Sequence, residues 1–177
     1  MVNNLTGFAV ATGEVFLKSD GSSWRPLVHI EDISRAFCAI AEADRGVVHN
    51  EAFNIGATQE NYRISDVANI VEETVPECAV KLSDEAFNDI RNYKVSFEKY
   101  ESTFPDMTAV WTVRKGVEEL REAMVANNLT VDTLEGPHLM RVQTLRQLQD
   151  AGKVANDIRW SNDPAESVAA LSTKAAR

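Results

Sequence analysis

Apolar positions change period along this chain. Residues 3–12 have helical spacing, and Gly13 closes the predicted helix. Glu14-Val15-Phe16-Leu17 alternates polar and apolar, the pattern of a short strand. Ser19 to Ser23 is turn chemistry around Gly21, and Leu27-Val28-His29-Ile30 reads as a second strand. Asp32 then caps a predicted helix whose Ile33, Ala36, Phe37 and Ile40 fall on one face, with Gly46 in the turn beyond. Ala52-Phe53-Asn54-Ile55 reads as a strand ending at Gly56. Ser65 is the expected cap of a helix carrying Val67, Ile70, Val71 and Thr74, with Pro76 as its stop. Val80 to Leu82 is a third short apolar run and a candidate strand.

Helical periodicity dominates the second half. Thr112 caps a helix over 112–126 that turns Val113, Val117, Leu120 and Met124 inward. Pro137 suits the first turn of another, with Leu139, Val142, Leu145 and Leu148 following and Gly152 at its end. From 161 to 177 the chain is polar and Ala/Ser-rich, the composition of a loose tail. Helices and short strands alternate first and helices follow, so the expected class is α/β with a helical end, spanning 1–160.

Bulk properties narrow the functions. The 177 residues suffice for a domain with a core, and 44% hydrophobic with 25% charged residues is ordinary for a globular protein. The net charge of −9 argues against nucleic acid and against a polybasic membrane anchor. A small anion stays open, because a few arginines can outweigh the global sign locally. Met1 to Leu5 show no secretory pattern, and Cys38 and Cys78 are too far apart for a disulfide framework or zinc site, so a cytoplasmic location is expected.

Chemical motifs are sparse. The glycines, at 7, 13, 21, 46, 56, 116, 136 and 152, never take the spacing of a dinucleotide-binding turn. Tyr62, Tyr93 and Tyr100 are followed four residues on by Asp66, Phe97 and Phe104, so no tyrosine has the lysine that would lower its pKa for carbinol chemistry. No catalytic, cofactor-binding or metal-binding residue is therefore predicted. His29, inside an apolar run, reads as a core histidine satisfied by hydrogen bonds. Arg25 and Arg91 remain, each at the edge of a predicted element. Two guanidinium forks on neighbouring loops could clamp a diphosphate, although solvated surface arginines would read the same.

At these residues a resemblance emerges. Asp20-Gly21-x-x-x-Arg25-Pro26-Leu27-Val28-His29-Ile30-Glu31-Asp32 resembles a segment of the extended short-chain dehydrogenase/reductases, specifically the NAD-dependent epimerase/dehydratases. Phe53 to Gly56, then Arg91-x-Tyr93-x-Val95-x-Phe97-x-Lys99, Trp111-Thr112-Val113 with Gly116-Val117 and Glu119-Leu120, and Glu135-Gly136-Pro137 follow in the family's order. The resemblance implies the C-terminal, substrate-binding portion of an extended Rossmann-type fold with a helical extension. It also implies a nucleotide-diphosphate sugar as partner and NAD(P) as cofactor of the intact enzyme. Arg25 and Arg91 match the two family arginines on the diphosphate, and Asn3, Asn4 and Leu5 match a segment lying against the nucleotide. Asp32 is implied to be a structural cap and Asn54 a structural strand-end residue.

The chain also departs from the family pattern. Pro26 and Ser96 stand where aspartates are common, and Lys94 lies near the place of a carboxylate in some relatives. The resemblance implies that the Rossmann half is absent. The chain would then be truncated and inactive alone, with Phe53–Gly56 deprived of its neighbouring strands. Marginal stability, self-association or pairing with a missing half follows. The alternative is a non-catalytic binding or interaction subunit on the same fold, and a third reading is an unrelated α/β domain.

Overall fold

The computed structural model describes residues 1–87 and 91–161, and the expected tail lies outside these residues except for Ser161. Two compact units divide the chain, Met1–Leu129 and Thr130–Arg177. The sequence gives no sign of that boundary.

In the first unit, α1 (Val2–Thr12) ends at Gly13, whose φ of 74° lets its N–H return to the Ala9 carbonyl. Strand β1 (Glu14–Ser19) alternates as expected, with Val15, Leu17 and Ser19 inward. It pairs in parallel with β4 (Ala79–Phe87), Val15 opposite Val80. A parallel pair needs a long crossover. Here the crossover holds β2 (Trp24–Pro26), α2 (Ile30–Glu42), α3 (Arg45–Val48), β3 (Asn61–Arg63) and α4 (Ile64–Thr74). The strands β2 and β3 form a separate antiparallel pair, Trp24 opposite Arg63 and Arg25 opposite Tyr62. Beyond β4 come α5 (Glu98–Thr103), a 3₁₀ turn over Pro105–Met107, and α6 (Val113–Ala126). Ala9 of α1, Val15 and Leu17 of β1, Val67, Ala68 and Val71 of α4, Val75, and Val113 and Val117 of α6 make one buried cluster. The fold is thus α/β, with a parallel strand pair and helices packed on it.

Several expected elements shift. The run 27–30 is not a strand. Pro26 ends the β2 ladder, Leu27 N–H goes to the Glu60 carbonyl, and α2 begins at Ile30. His29 therefore lies in no strand: it is the N-cap, its Nδ1 accepting the Glu31 N–H at 3.2 Å. Asp32 loses the cap role and is buried in the first turn. Ser65 is not a cap either, because α4 begins at Ile64 and Ser65 lies inside its first turn, with its N–H given to the Gly21 carbonyl. Arg63 precedes the helix, and its N–H goes to Asp66. Residues 52–55 form no strand, since a strand is defined by its ladder and no described strand pairs with this segment. Side chains hold it instead: Lys99 Nζ donates to the Ala52 carbonyl at 2.9 Å, and Asn54 Nδ2 to the Ser96 carbonyl at 3.3 Å.

In the second unit, Thr130 caps the short α7 (Val131–Leu134) by accepting the Thr133 N–H. Pro137 does not open a helix. Leu139 and Met140 both donate to the Gly136 carbonyl, which closes a turn, and α8 starts later (Arg141–Asp150). Leu145 and Leu148 are half-buried, while Leu139 and Val142 are exposed. Gly152, at φ 68°, follows the helix as expected.

Candidate functional site

Strand β2 carries Trp24 and Arg25 side by side, and the segment 91–95 is tied alongside. Asn61, at the start of β3, acts as a two-pronged clamp: its Nδ2 donates to the Val95 carbonyl at 3.0 Å and its Oδ1 accepts the Val95 N–H at 2.9 Å. Asn92 Oδ1 accepts the Trp24 N–H at 3.0 Å. These side-chain amides do what a third strand would do, so residues far apart in sequence share one edge.

Arg25 and Arg91 meet there. Arg25 Nη1 donates to its neighbour Trp24's carbonyl at 2.6 Å and to the Arg91 carbonyl. Its guanidinium carbon lies 5.6 Å from the centre of the Tyr93 ring. The two arginines are thus joined through the backbone of one and the side chain of the other. Sequence reasoning missed the rest of this edge. Lys94 Nζ stands 3.6 Å from the centre of the Trp24 ring, and the Arg63 guanidinium 5.2 Å from it. Arg63 is brought in by the β2–β3 register, which no local pattern reveals.

Asn3, Asn4 and Leu5 are placed otherwise. Leu5 packs on the core cluster and Asn4 is exposed. Asn3 lines a cavity of about 490 Å³ whose wall includes Leu27, His29, Glu60, Trp111 and Glu119 but neither Arg25 nor Arg91. His29 stacks on Trp111, ring centres 3.9 Å apart, and its Nε2 lies 2.9 Å from Glu119. With Nδ1 accepting from the backbone, the proton belongs on Nε2, donated to Glu119. Trp111 Nε1 donates to Glu31 at 2.8 Å, and Glu60, buried, accepts from Tyr62 and from the Val113 N–H. His29, Trp111 and Glu60 are thus each engaged with a partner, which fastens that part of the wall.

Titration behaviour points away from tyrosine base chemistry. Burial, then the neighbouring Glu60, pushes the Tyr62 phenol above its ordinary range. Tyr100 is raised mainly by burial. Among the described residues no group of acids, histidines and cysteines is placed to hold a metal, and no helix is long and apolar enough to cross a membrane.

Comparisons with known proteins bear on these features. Residues 2–56 match the family described as NAD dependent epimerase/dehydratase. That stretch includes α1, β1, β2 and α2, hence Arg25. No curated protein sequence matches the chain. Among solved structures it is similar to the PbgP3 protein from Burkholderia pseudomallei, with 26% identity and a TM-score of 0.52. That match covers 71% of this chain and 38% of that one, so the chain spans well under half the length of this relative. Over residues 2–56 the chain is thus similar to the NAD-dependent epimerase/dehydratase family, and across most of its length it shares a fold with the PbgP3 protein.

Proposed function

We propose that these residues form the nucleotide-sugar-binding part of an NAD-dependent epimerase/dehydratase, with Arg25 and Arg91 holding the diphosphate. The observation that carries this is the bond from the Arg25 guanidinium to the Arg91 carbonyl, which brings two distant arginines to one edge. A guanidinium presents five donors in a planar fork, the geometry that pairs with phosphate oxygens in a bidentate way. Asn3, at the start of α1, and the exposed Asn4 are the next candidates for nucleotide contact. Leu5 would act by packing.

NAD supplies the redox step in this family, and the protein supplies placement and proton transfer. The described residues do not fit the dinucleotide. Strand β1 leads into the Asp20–Ser23 turn and β2, not into a helix. Where β3 does run into α4, the Asp66 carboxylate occupies the first turn instead of glycine. A pyrophosphate there would meet a negative charge where it needs bare amides. On this reading the dinucleotide is held outside the described residues and these residues alone are inactive.

A second reading is a non-catalytic interaction subunit. It is favoured by one observation, the exposed apolar face of α2, where Ile30 and Phe37 are 68% and 70% exposed. The cysteines are not bonded to each other, which suits the cytoplasm as the proposed location.

Titration calorimetry with UDP-glucose tests the first reading. Arg25→Ala and Arg91→Ala should each weaken binding by about ten-fold, the scale of one charge-assisted contact. Equal affinity in the wild type and both variants would remove the diphosphate clamp, and absence of any binding would favour the interaction subunit.

A further inference from the structure

Residues 91–94 are exposed and belong to no described strand or helix. A segment without a ladder needs other bonds to fix where Arg91 stands. Side chains tie it to the fold. At one end Asn92 Oδ1 accepts the Trp24 N–H, and the Arg91 carbonyl accepts from Arg25. Both of these bonds are exposed, so water competes for their partners. At the other end Val95 is half-buried, and Asn61 engages both its N–H and its carbonyl.

The β2–β3 register explains why Asn61 is available for this. It stands opposite Pro26, and proline has no N–H to give, so the ladder ends there. The side-chain amide, one acceptor beside two donors, repeats the chemistry of a peptide group. Its Oδ1 accepts the Val95 N–H at 2.9 Å. Its Nδ2 donates to the Val95 carbonyl at 3.0 Å and to the Thr58 carbonyl at 2.9 Å. An aspartate of the same shape has no proton for either carbonyl. Released at Val95, the segment loses the one of these ties that is shielded from water.

Resting on the diphosphate reading above, we infer that Asn61 is a positioning residue for ligand binding. It touches no ligand and acts by holding the segment from which Arg91 reaches the diphosphate. An arginine already in place loses less conformational entropy when the ligand arrives.

Titration calorimetry with UDP-glucose on the full chain tests this in a double-mutant cycle. Asn61→Ala should weaken binding about ten-fold, as Arg91→Ala should, and the double variant should be little weaker than either alone. Asn61→Asp should lose as much as Asn61→Ala, because the donor and not the shape is what matters. An asparagine with a structural role alone would shift the urea midpoint and leave the two losses to multiply. Wild-type affinity in Asn61→Ala, or losses that multiply, overturns the inference while the diphosphate clamp stands. Where circular dichroism shows that the Asn61 variants do not fold, amide exchange in the wild type decides. A ligand held by Arg91 selects the fastened segment, so saturating UDP-glucose should slow exchange at Val95 by roughly ten-fold or more. Exchange unchanged by the ligand overturns the inference. No binding by the wild type, or binding indifferent to Arg91→Ala, removes the diphosphate clamp and this inference together.

Discussion

Single residues carry two tests of this structure. Gly56 lies under the ring of Phe97: a methyl group there would come within 2.6 Å of Cε1, and Phe97 is itself buried. Ring and backbone would have to part, so Gly56→Ala should cost about 1–3 kcal/mol, the range of overpacked cores, readable as a shift in urea midpoint. An unchanged midpoint would show that the ring has room to move. Tyr62 and Tyr100 offer the second test. Both phenols titrate above the ordinary value of 10.0 in the folded chain, chiefly through burial. A group raised on folding contributes stability below its unfolded pKa, and that contribution is lost as pH rises through the folded one. Unfolding free energy should therefore fall as pH climbs past about 10. Tyr100→Phe should flatten the decline, since its hydroxyl then no longer has to be kept neutral while it donates to the Met107 carbonyl. A decline as steep in both Tyr62→Phe and Tyr100→Phe as in the wild type would assign it to other groups.

Elements were legible in proportion to how local their causes are. Strand β1 alternates and stands next to its stop; α1 has Gly13; α6 has Thr112 before a clear apolar stripe. Each was read correctly because everything that fixes it lies within a few residues. What failed depended on distant partners. Asp32 looked like a cap because aspartates cap helices. In the structure its carboxylate instead accepts the N–H groups of Val110 and Trp111, 78 and 79 residues away, and pairs with Arg35 at 2.9 Å. Ser65 fell inside a helix that starts earlier, after the β2–β3 pair, and the 52–55 run had strand composition without a ladder. The candidate site shows the same division. Arg25 and Arg91 were visible from residue type and family pattern, whereas Arg63 and Lys94 required the β2–β3 register and the Asn61 clamp. Asp32 also fastens α2 to the segment before α6. Replacing it with alanine leaves two backbone N–H groups and one guanidinium without their shared acceptor. Asp32→Ala should destabilise by about 3 kcal/mol, against well under 1 kcal/mol for an exposed acid such as Asp106, measured by denaturant unfolding of both variants.

At the scale of the molecule, a strongly negative chain presents an apolar helix face to solvent. Helix α2 buries Asp32 and Ala36, while Ile30 and Phe37 stand 68% and 70% exposed and Val28 is exposed beside its start. Contiguous apolar surface of this kind tends to mark association, and the unladdered 52–55 segment leaves backbone groups that a partner could pair with. Net charge opposes self-association through repulsion that salt screens within about 8–10 Å at 0.1–0.15 M. The two forces predict opposite salt responses, which makes them separable. If the α2 face drives association, sedimentation velocity should show the chain associating more as protein concentration or salt rises, and Phe37→Glu should weaken this at least ten-fold. If instead opposite charges on two copies held them together, salt would dissociate the assembly and Phe37→Glu would change little. A chain that stays monomeric in both salts and melts cooperatively near 60 °C, about where ordinary domains melt, would show that these 177 residues need no partner, and the exposed face of α2 would then have to be explained as tolerated surface.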